Sequence, residues 1–250
     1  MAEWWRDFFD DAYRFLYGDL LHPVRTEHEV AAVCRLLGVG EGTRLLDLCC
    51  GDGRHAVPLR RRGLEVCGVD SSAILLRRAS ERAARVLPDD DPHPRLVQAD
   101  ARALPLRSGV FDAAICLFNS IGYAGDAGTA AMLGEAARVL RPGAGLLVEC
   151  DHLARAEAAA RPRQERVHTA VRGVPVEVEE WIEAGEQHAV FRWDEQGAPR
   201  ERRLRHRLYD PASLTALLRE AGFARVSLYG GYDGRPFSLD APVLLAQGAR

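Results

Sequence analysis

A glycine-rich turn at residues 51–56 has the composition of a cofactor-binding loop. Its sequence, GDGRHA, follows the apolar run RLLDLCC at residues 44–50 and matches the pattern G-x-G-x-x-A. Glycine permits the tight backbone geometry of such a turn and lets a ligand approach closely. Asp70 lies 19 residues after Gly51, where a carboxylate can bind both hydroxyls of a ribose. The turn therefore predicts a ribose-containing cofactor, and by itself it is compatible with a nicotinamide dinucleotide.

Two further carboxylates favour a different cofactor. Asp47 lies four residues before Gly51, where a pyrophosphate would gain nothing from a nearby negative charge but an ammonium group would. Asp100 ends the third strand-like run and can accept a hydrogen bond from an exocyclic amine such as that of adenine. The chain also ends in strand, helix and strand, unlike the second half of a dinucleotide-binding dehydrogenase. These features favour a nucleoside whose tail bears an amino acid.

The elements that must position these residues alternate between strand and helix. Strand-like runs occur at residues 44–50, 65–70, 95–100, 111–118 and 145–150, and helical patterns occur at 54–62, 72–87 and 127–140. Such alternation predicts βαβ units and a parallel sheet.

The pattern changes after Cys150. Residues 174–182, 187–195 and 200–209 read as an antiparallel meander. A helix then begins with Asp210 as N-cap and Pro211 at its first position, closes at Gly222, and is followed by two strands. We therefore predict a single domain with four parts, namely an N-terminal helical lid at 1–29, a cofactor-binding core at 30–150, an inserted antiparallel β-cap at 151–208 and the completion of the core at 209–250.

The amino-acid composition argues against several kinds of chemistry and partner. All 33 basic residues are arginine, which excludes catalysis through a lysine Schiff base. The net charge of −3 and the absence of a basic stripe argue against a nucleic-acid partner. The six cysteines form no C-x-x-C pair, so neither a disulfide framework nor a metal site is expected. Because no run of about 18 apolar residues occurs, we expect a cytoplasmic protein without a membrane partner.

Five segments, in order, resemble the motifs of class I S-adenosylmethionine-dependent methyltransferases. They are DLCCGDG at 47–53, VCGVD at 66–70, QADARALP at 98–105, FDAAICLFNSIGY at 111–123 and LRPGAGLLVE at 140–149. The resemblance covers residues of about 30–150 and 208–250. It implies an α/β fold with a Rossmann-like, doubly wound, mostly parallel seven-stranded sheet whose final strand is antiparallel.

The resemblance also implies the cofactor and its ligands. S-adenosylmethionine would be converted to S-adenosylhomocysteine without a metal, with Asp70 binding the ribose. The expected cofactor-binding residues are Asp47, Cys49, Gly51 and Gly53 at the methionyl end, Asp70 and Ser71 after the second strand, Asp100 and Ala101 at the adenine, and Leu117. One departure is Asp52, where the family usually carries Thr, Ser or another small residue.

The segment CLFNSIGYAGD and the long β-cap further resemble the subgroup that methylates small amines, including sugar N,N-dimethyltransferases and glycine/sarcosine-type enzymes. We therefore expect methyl transfer to a small-molecule acceptor at nitrogen, by a monomer or homodimer. Three alternatives stay open at this point: a small-molecule O-methyltransferase, an NAD-dependent oxidoreductase, and a non-catalytic nucleoside-binding module. RNA methylation is disfavoured because no basic patch is visible.

Candidate catalytic residues come from three places. Seven of the eighteen aromatic residues lie within the first seventeen positions, and we predict that Tyr13 covers the sulfonium or orients an amine. Asn119 follows the fourth strand, where the carboxyl ends of a doubly wound sheet face the ligand. His152, with neighbouring carboxylates, is a candidate base. Plain packing of Tyr13, loop capping by Asn119 and a solvent-exposed His152 are the structural alternatives.

Overall fold

A seven-stranded sheet forms the centre of the computed structural model, which describes residues 3–18, 21–88, 93–160 and 165–250. The strands are β1 Arg44–Leu48, β2 Glu65–Asp70, β3 Arg95–Gln98, β4 Phe111–Cys116, β5 Leu140–Cys150, β6 Arg166–Val171, β7 Val174–Glu183, β8 Glu186–Glu195, β9 Ala198–Arg207, β10 Arg225–Tyr229 and β11 Leu244–Ala249. The central sheet has the order β10-β11-β5-β4-β1-β2-β3. Strand β11 runs antiparallel to both of its neighbours, β5 and β10, and the other described pairings in this sheet are parallel, which confirms the predicted fold class.

Helices cover both faces of this sheet. They are α1 Trp5–Phe8, α2 Asp11–Tyr17, α3 Pro23–Leu37, α4 Ala56–Arg61, α5 Ala73–Val86, α6 Gly125–Val139, α7 Leu153–Ala159 and α8 Pro211–Glu220. Strand β1 shows why the sheet is buried on both sides. Leu46 and Leu48 join the hydrophobic cluster that includes α6 and α8, whereas Leu45 joins the cluster that includes α3 and α4. A strand covered on both faces reads as a continuous apolar run, as is typical of parallel sheets.

Helix α8 begins where its sequence predicts. The Asp210 carboxylate accepts a hydrogen bond from the Ser213 backbone N–H at 2.7 Å, and Pro211 occupies the first turn, where no N–H is needed. The helix ends at Glu220, and Gly222 follows with a positive φ of 104°. Such a left-handed residue is the usual stop for a helix.

A separate antiparallel sheet with the order β6-β7-β8-β9 interrupts the α/β core. Three of its strands were predicted from the sequence. Strand β6, which pairs with β7 at the sheet edge, was not. The β9 end meets the core at Gly122, whose carbonyl accepts a hydrogen bond from the Arg207 N–H at 3.0 Å. A Cβ at Gly122 would lie 2.3 Å from the Arg207 carbonyl oxygen, so the close approach of this sheet to the core requires glycine.

The two N-terminal helices pack between the core and the antiparallel sheet. Phe8 is 2% exposed, and its ring centroid lies 6.5 Å from that of Phe191 on β8. The Ser72 hydroxyl donates to the Phe9 carbonyl at 2.8 Å, and Arg202 on β9 pairs with Asp10 at 2.7 Å. These helices therefore contact both of the other parts. Within the described ranges, no helix combines the length and apolarity needed to cross a bilayer.

Candidate functional site

A cavity of about 130 Å³ opens at the carboxyl ends of β1, β2 and β4. Of the residues predicted from the sequence, those that line it are Asp47, Cys49, Gly51, Asp70, Ser71, Asp100, Ala101, Leu117 and Tyr13. This is the edge of a doubly wound sheet at which ligands bind.

The turn after β1 is built from left-handed backbone. Cys49, Gly51 and Gly53 have φ values of 58°, 54° and 73°. A non-glycine residue rarely adopts such a conformation, and the strain at Cys49 is typical of functional loops. Gly53 lies outside the cavity lining: a Cβ there would lie 3.0 Å from the Ala79 Cβ. Because Gly53 has only a hydrogen atom there, α5 can pack against the turn. Gly53 therefore contacts α5 and not the cavity, where a ligand contact was predicted.

Asp70 is held in place by the backbone. Its Oδ2 accepts a hydrogen bond from the Gly51 N–H at 2.9 Å, and its Oδ1 accepts one from the Ser72 N–H at 2.8 Å. Burial raises the pKa of Asp70, and these backbone donors partly counter that rise. Each carboxylate oxygen has a second lone pair. The carboxylate is therefore fixed at the cavity and still able to accept two hydroxyl donors.

Asp47 is a buried acid with one free oxygen. Its side chain is 2% exposed, and its Oδ2 has no hydrogen-bond partner among the described residues. Burial raises the pKa of Asp47 to about 8, against the opposing effect of the Arg54 charge. An unpaired buried carboxylate is costly unless a ligand satisfies it. A cationic group in the cavity would do so.

Asp100 is bound by its neighbour Arg102. The Arg102 N–H donates to Asp100 Oδ1 at 2.9 Å, and its Nη2 donates to Oδ2 at 2.6 Å. The hydrogen bonds from Arg102 lower the pKa of Asp100 below its ordinary value. Arg102 also pairs with Glu3 and lies 5.4 Å from the Trp5 ring centroid. The third carboxylate is therefore ionised and linked to the N-terminal helices.

Two predicted catalytic residues lie outside the cavity lining. Asn119, with a φ of 57°, donates to Asp151 Oδ2 at 2.7 Å and accepts the Asp151 N–H at 2.5 Å. It thereby fastens the loop after β4 to the end of β5. Its neighbour Ser120 lines the cavity, but the Ser120 hydroxyl donates to the Leu117 carbonyl at 2.8 Å.

His152 is fully buried as the N-cap of α7, not the solvent-exposed residue of the structural alternative. Its Nδ1 accepts the Arg155 N–H at 3.3 Å, so its Nε2 carries the proton donated to the Ala241 carbonyl at 3.0 Å. Both ring nitrogens are therefore engaged. In this arrangement His152 has no nitrogen available to take a proton from a substrate.

Aromatic rings of the N-terminal helices close the cavity. Trp5, Phe9 and Tyr13 line it, together with Tyr123 from the loop after β4. The Phe9 and Tyr123 ring centroids are 5.3 Å apart, and Tyr13 stacks on Tyr17 at 5.3 Å. Burial raises the pKa of Tyr13, which keeps its hydroxyl protonated. The sequence did not single out Tyr123, because nothing distinguishes it from an ordinary loop aromatic.

His206 and Arg203 lie on opposite faces of β9 in the antiparallel sheet. His206 is 6% exposed, its ring lies 5.9 Å from that of Tyr123, and burial lowers its pKa to about 4. Neither of its ring nitrogens has a partner within the described ranges. By contrast, Arg203 pairs with Glu201 at 2.8 Å on the outer face, as a solvated charged surface does.

A buried charged group beside the cavity was not predicted from the sequence. Arg54 and His55 line it and are 5% and 6% exposed. Both contact the Glu29 carboxylate of α3, which is 1% exposed. Among the residues that the structure describes, no group of three or more His, Cys, Asp or Glu side chains is placed to hold a metal ion.

Comparison with known proteins agrees with this geometry. Residues 45–143 match the family described as "Methyltransferase domain". The demethylmenaquinone methyltransferase of Thermus thermophilus is 40% identical over 111 residues, which are 42% of this chain and 46% of that protein. The chain spans about half the length of the curated relatives it matches first.

Two solved structures resemble the chain over most of its length. The CcbJ methyltransferase from Streptomyces caelestis superposes with a TM-score of 0.72 at 22% identity, covering 88% of each chain. CalS10 from Micromonospora echinaspora, an amino pentose methyltransferase solved with bound S-adenosylmethionine, has a TM-score of 0.64 at 22% identity and 95% coverage of both chains. The chain therefore has the class I S-adenosylmethionine-dependent methyltransferase fold, and residues 45–143 are a methyltransferase domain, which confirms the resemblance seen in the sequence motifs.

Proposed function

We propose that this protein transfers a methyl group from S-adenosylmethionine to a nitrogen atom of a small-molecule acceptor. The observation that carries the proposal is the convergence of Asp47, Asp70 and Asp100 on one cavity at the carboxyl ends of neighbouring strands. A dinucleotide would bring phosphates close to Asp47, whereas an amino-acid tail brings an ammonium group. CalS10, which shares the fold, is a methyltransferase with bound S-adenosylmethionine.

In the proposed complex each carboxylate binds a different part of the cofactor. Asp47 pairs with the methionyl ammonium, which satisfies its free Oδ2. Asp70 accepts the two ribose hydroxyls beside the Gly51 N–H that fixes it. Asp100 and Ala101 contact the adenine, and the Tyr13 ring covers the sulfonium, because aromatic faces attract cations.

The reaction is an in-line displacement at the methyl carbon. The carbon–sulfur bond breaks as the carbon–nitrogen bond forms, the electron pair stays on sulfur as S-adenosylhomocysteine leaves, and the acceptor nitrogen then loses a proton. The positive charge on sulfur disappears in the process, so the protein contributes mainly by positioning the two reactants. The rings of Trp5, Phe9 and Tyr13 support this by excluding water from the cavity.

The side chains around the cavity favour nitrogen over oxygen as the acceptor. A neutral amine needs only its lone pair, whereas a hydroxyl needs a nearby base to take its proton. The one histidine among the described lining residues, His55, contacts Glu29 at 2.9 Å. That carboxylate is an acceptor only, so the Nε2 of His55 carries the proton that it donates to Glu29, and this nitrogen does not act as a base on an acceptor.

A second cavity of about 190 Å³ adds to the case for an amine. It is lined by Asp151, Glu180 and Trp181, among others. The charges of Glu180 and Asp151 contribute to the raised pKa of Tyr17, after burial and the neighbouring Tyr13. The Asp151 and Glu180 carboxylates and the Trp181 ring of this second cavity are a set of groups that attracts a protonated amine.

Calorimetric titration followed by a labelled-methyl assay tests the proposal. S-adenosylhomocysteine is expected to bind and NADH is not. Label from S-adenosylmethionine should enter amines in a panel of amines, sugars and phenols. Binding of NADH alone would indicate an oxidoreductase, and labelling of phenols alone would indicate an O-methyltransferase.

A further inference from the structure

Arg54 has one fixed edge and one free edge. Its Nη1 donates to the Thr26 hydroxyl at 3.2 Å and pairs with Glu29. Its guanidinium lies 4.9 Å from the centroid of the Phe118 ring. Its Nη2 is buried and has no hydrogen-bond partner in the described part of the chain. The Arg54 side chain lines the cavity at the carboxyl ends of β1, β2 and β4. A ligand in that cavity can therefore reach the group that carries the unsatisfied nitrogen.

The fixed edge of Arg54 is held by a rigid anion. Glu29 Oε2 also accepts a hydrogen bond from His55 Nε2 at 2.9 Å, and its Oε1 accepts one from Arg25 at 2.7 Å. Burial raises the pKa of Glu29, but the His55 hydrogen bond and the arginine charges outweigh it and lower the value to about 2. Glu29 therefore stays ionised and anchors the guanidinium at the edge of the cavity.

We propose that the free edge of Arg54 binds the carboxylate of the cofactor's methionyl tail. The inference rests on the proposed function, in which Asp47 binds the ammonium of the same tail. A zwitterion presents its two charges side by side, and Asp47 and Arg54 offer a carboxylate oxygen and a guanidinium nitrogen that are both buried and unpaired. Arginine suits this task because its planar fork matches a carboxylate.

The consequence is selectivity for a cofactor with an intact amino-acid tail. A ligand that lacks the tail leaves Asp47 Oδ2 and the charged Arg54 Nη2 without partners in a buried site, which costs binding free energy. Glu29 acts here as a positioning residue, because it contacts Arg54 and His55 and not the ligand.

The test compares two ligands on the same variants by calorimetry. S-adenosylhomocysteine carries the tail, and 5′-methylthioadenosine keeps the adenosine and the thioether sulfur but lacks it. Arg54→Met should weaken S-adenosylhomocysteine about 10- to 100-fold, the range for hydrogen bonds to charged groups, and leave 5′-methylthioadenosine within about twofold. Arg61→Met, an exposed arginine of α4 that pairs with Glu27, is the matched control and should change neither affinity.

Arg54→Lys provides a second variant in case Arg54→Met unfolds, because it keeps the charge next to Glu29. It should weaken S-adenosylhomocysteine less than Arg54→Met does and leave 5′-methylthioadenosine unchanged. Equal losses for both ligands, or no loss for either, would overturn the inference. So would an unchanged affinity for S-adenosylhomocysteine with a raised KM for an acidic acceptor, which would place the acceptor's carboxylate at Arg54. Wild-type protein that binds neither ligand would instead contradict the proposed function.

Discussion

The turn after β1 and the N-terminal helices line the same cavity, but they are built differently. In the turn, backbone geometry fixes each group: Cys49 and Gly51 are left-handed, and Asp70 accepts two backbone N–H groups. The helices are attached by ring contacts and by ion pairs at the surface, such as Arg78 of α5 with Asp11. Partly exposed ion pairs contribute little to stability. The comparison indicates a rigid cofactor site covered by a weakly attached lid.

A lid of this kind fits a site that must exchange its cofactor after each reaction. The rings of Trp5 and Phe9 line the cavity, so we expect the lid to move when the cofactor enters. Strong burial of charges in the lid would oppose that movement, whereas exposed pairs can break at low cost. Asp52 of the turn connects the two regions. It pairs with Arg14 of the lid and with Arg82 of α5, the latter at 2.6 Å.

Removing the lid tests the comparison most severely. Deletion of residues 1–20 should lower the methyl-transfer rate by about 100-fold or more, because water enters the cavity and the reactants lose their alignment. The remaining chain should keep its far-ultraviolet circular dichroism, since α3 begins after the deletion with its own N-cap at His22. Arg203→Ala on the outer face of β9 is the control and should leave the rate unchanged. Full activity of the truncated protein would show that these helices serve only packing.

Removing a carboxylate from the rigid region should affect binding itself. Asp70→Ala is expected to weaken S-adenosylhomocysteine by about 3 kcal/mol, roughly a hundredfold in Kd, because two hydroxyls lose a charged acceptor. Thermal unfolding should remain cooperative but with a lower midpoint, because the Gly51 and Ser72 N–H groups also lose their acceptor. Asp70→Asn keeps one acceptor oxygen and should show an intermediate loss. An unchanged Kd for Asp70→Ala would remove this residue from the ribose site.

The smallest effect concerns the protonation of Asp47. Its pKa of about 8 lies above the ordinary value of about 3.9, so the free folded protein retains a proton that the unfolded chain releases. The stability associated with this group is therefore present at low pH and is lost as the pH rises through 8. An ammonium group binds the ionised form, so affinity for S-adenosylhomocysteine should rise with pH, by about tenfold per unit well below the pKa.

Calorimetry in two buffers of different ionisation enthalpy measures that proton release directly. At neutral pH, binding to the wild-type protein should release close to one proton, and Asp47→Asn should release none through this group. A flat pH profile in the wild-type protein between pH 6 and 8 would contradict the pairing of Asp47 with an ammonium group.

The main features of the cofactor site could be predicted from the sequence because they depend on short stretches of chain. Asp47 lies one residue before the end of β1, Asp70 and Asp100 each end an apolar run, and the carboxyl ends of parallel strands meet at one edge of the sheet. The alternation of strands and helices along the chain then predicts that the three acids lie around one cavity, and this prediction requires no information about distant contacts. The antiparallel position of β11 also followed from the local pattern of the last 40 or so residues, read through the family resemblance.

Other parts of the site were decided only by the tertiary structure. Glu29 lies in the charged stretch RTEHE at residues 25–29 of α3. It lies 25 residues before its partner Arg54. Whether such a charge is buried depends on which helix packs beside it. Likewise, His152 and Asn119 carry suitable chemistry, but distant contacts with Ala241 and Asp151 occupy their polar atoms. Strand ends and turns are determined locally by backbone geometry, whereas the burial and pairing of a polar side chain depend on residues far along the chain.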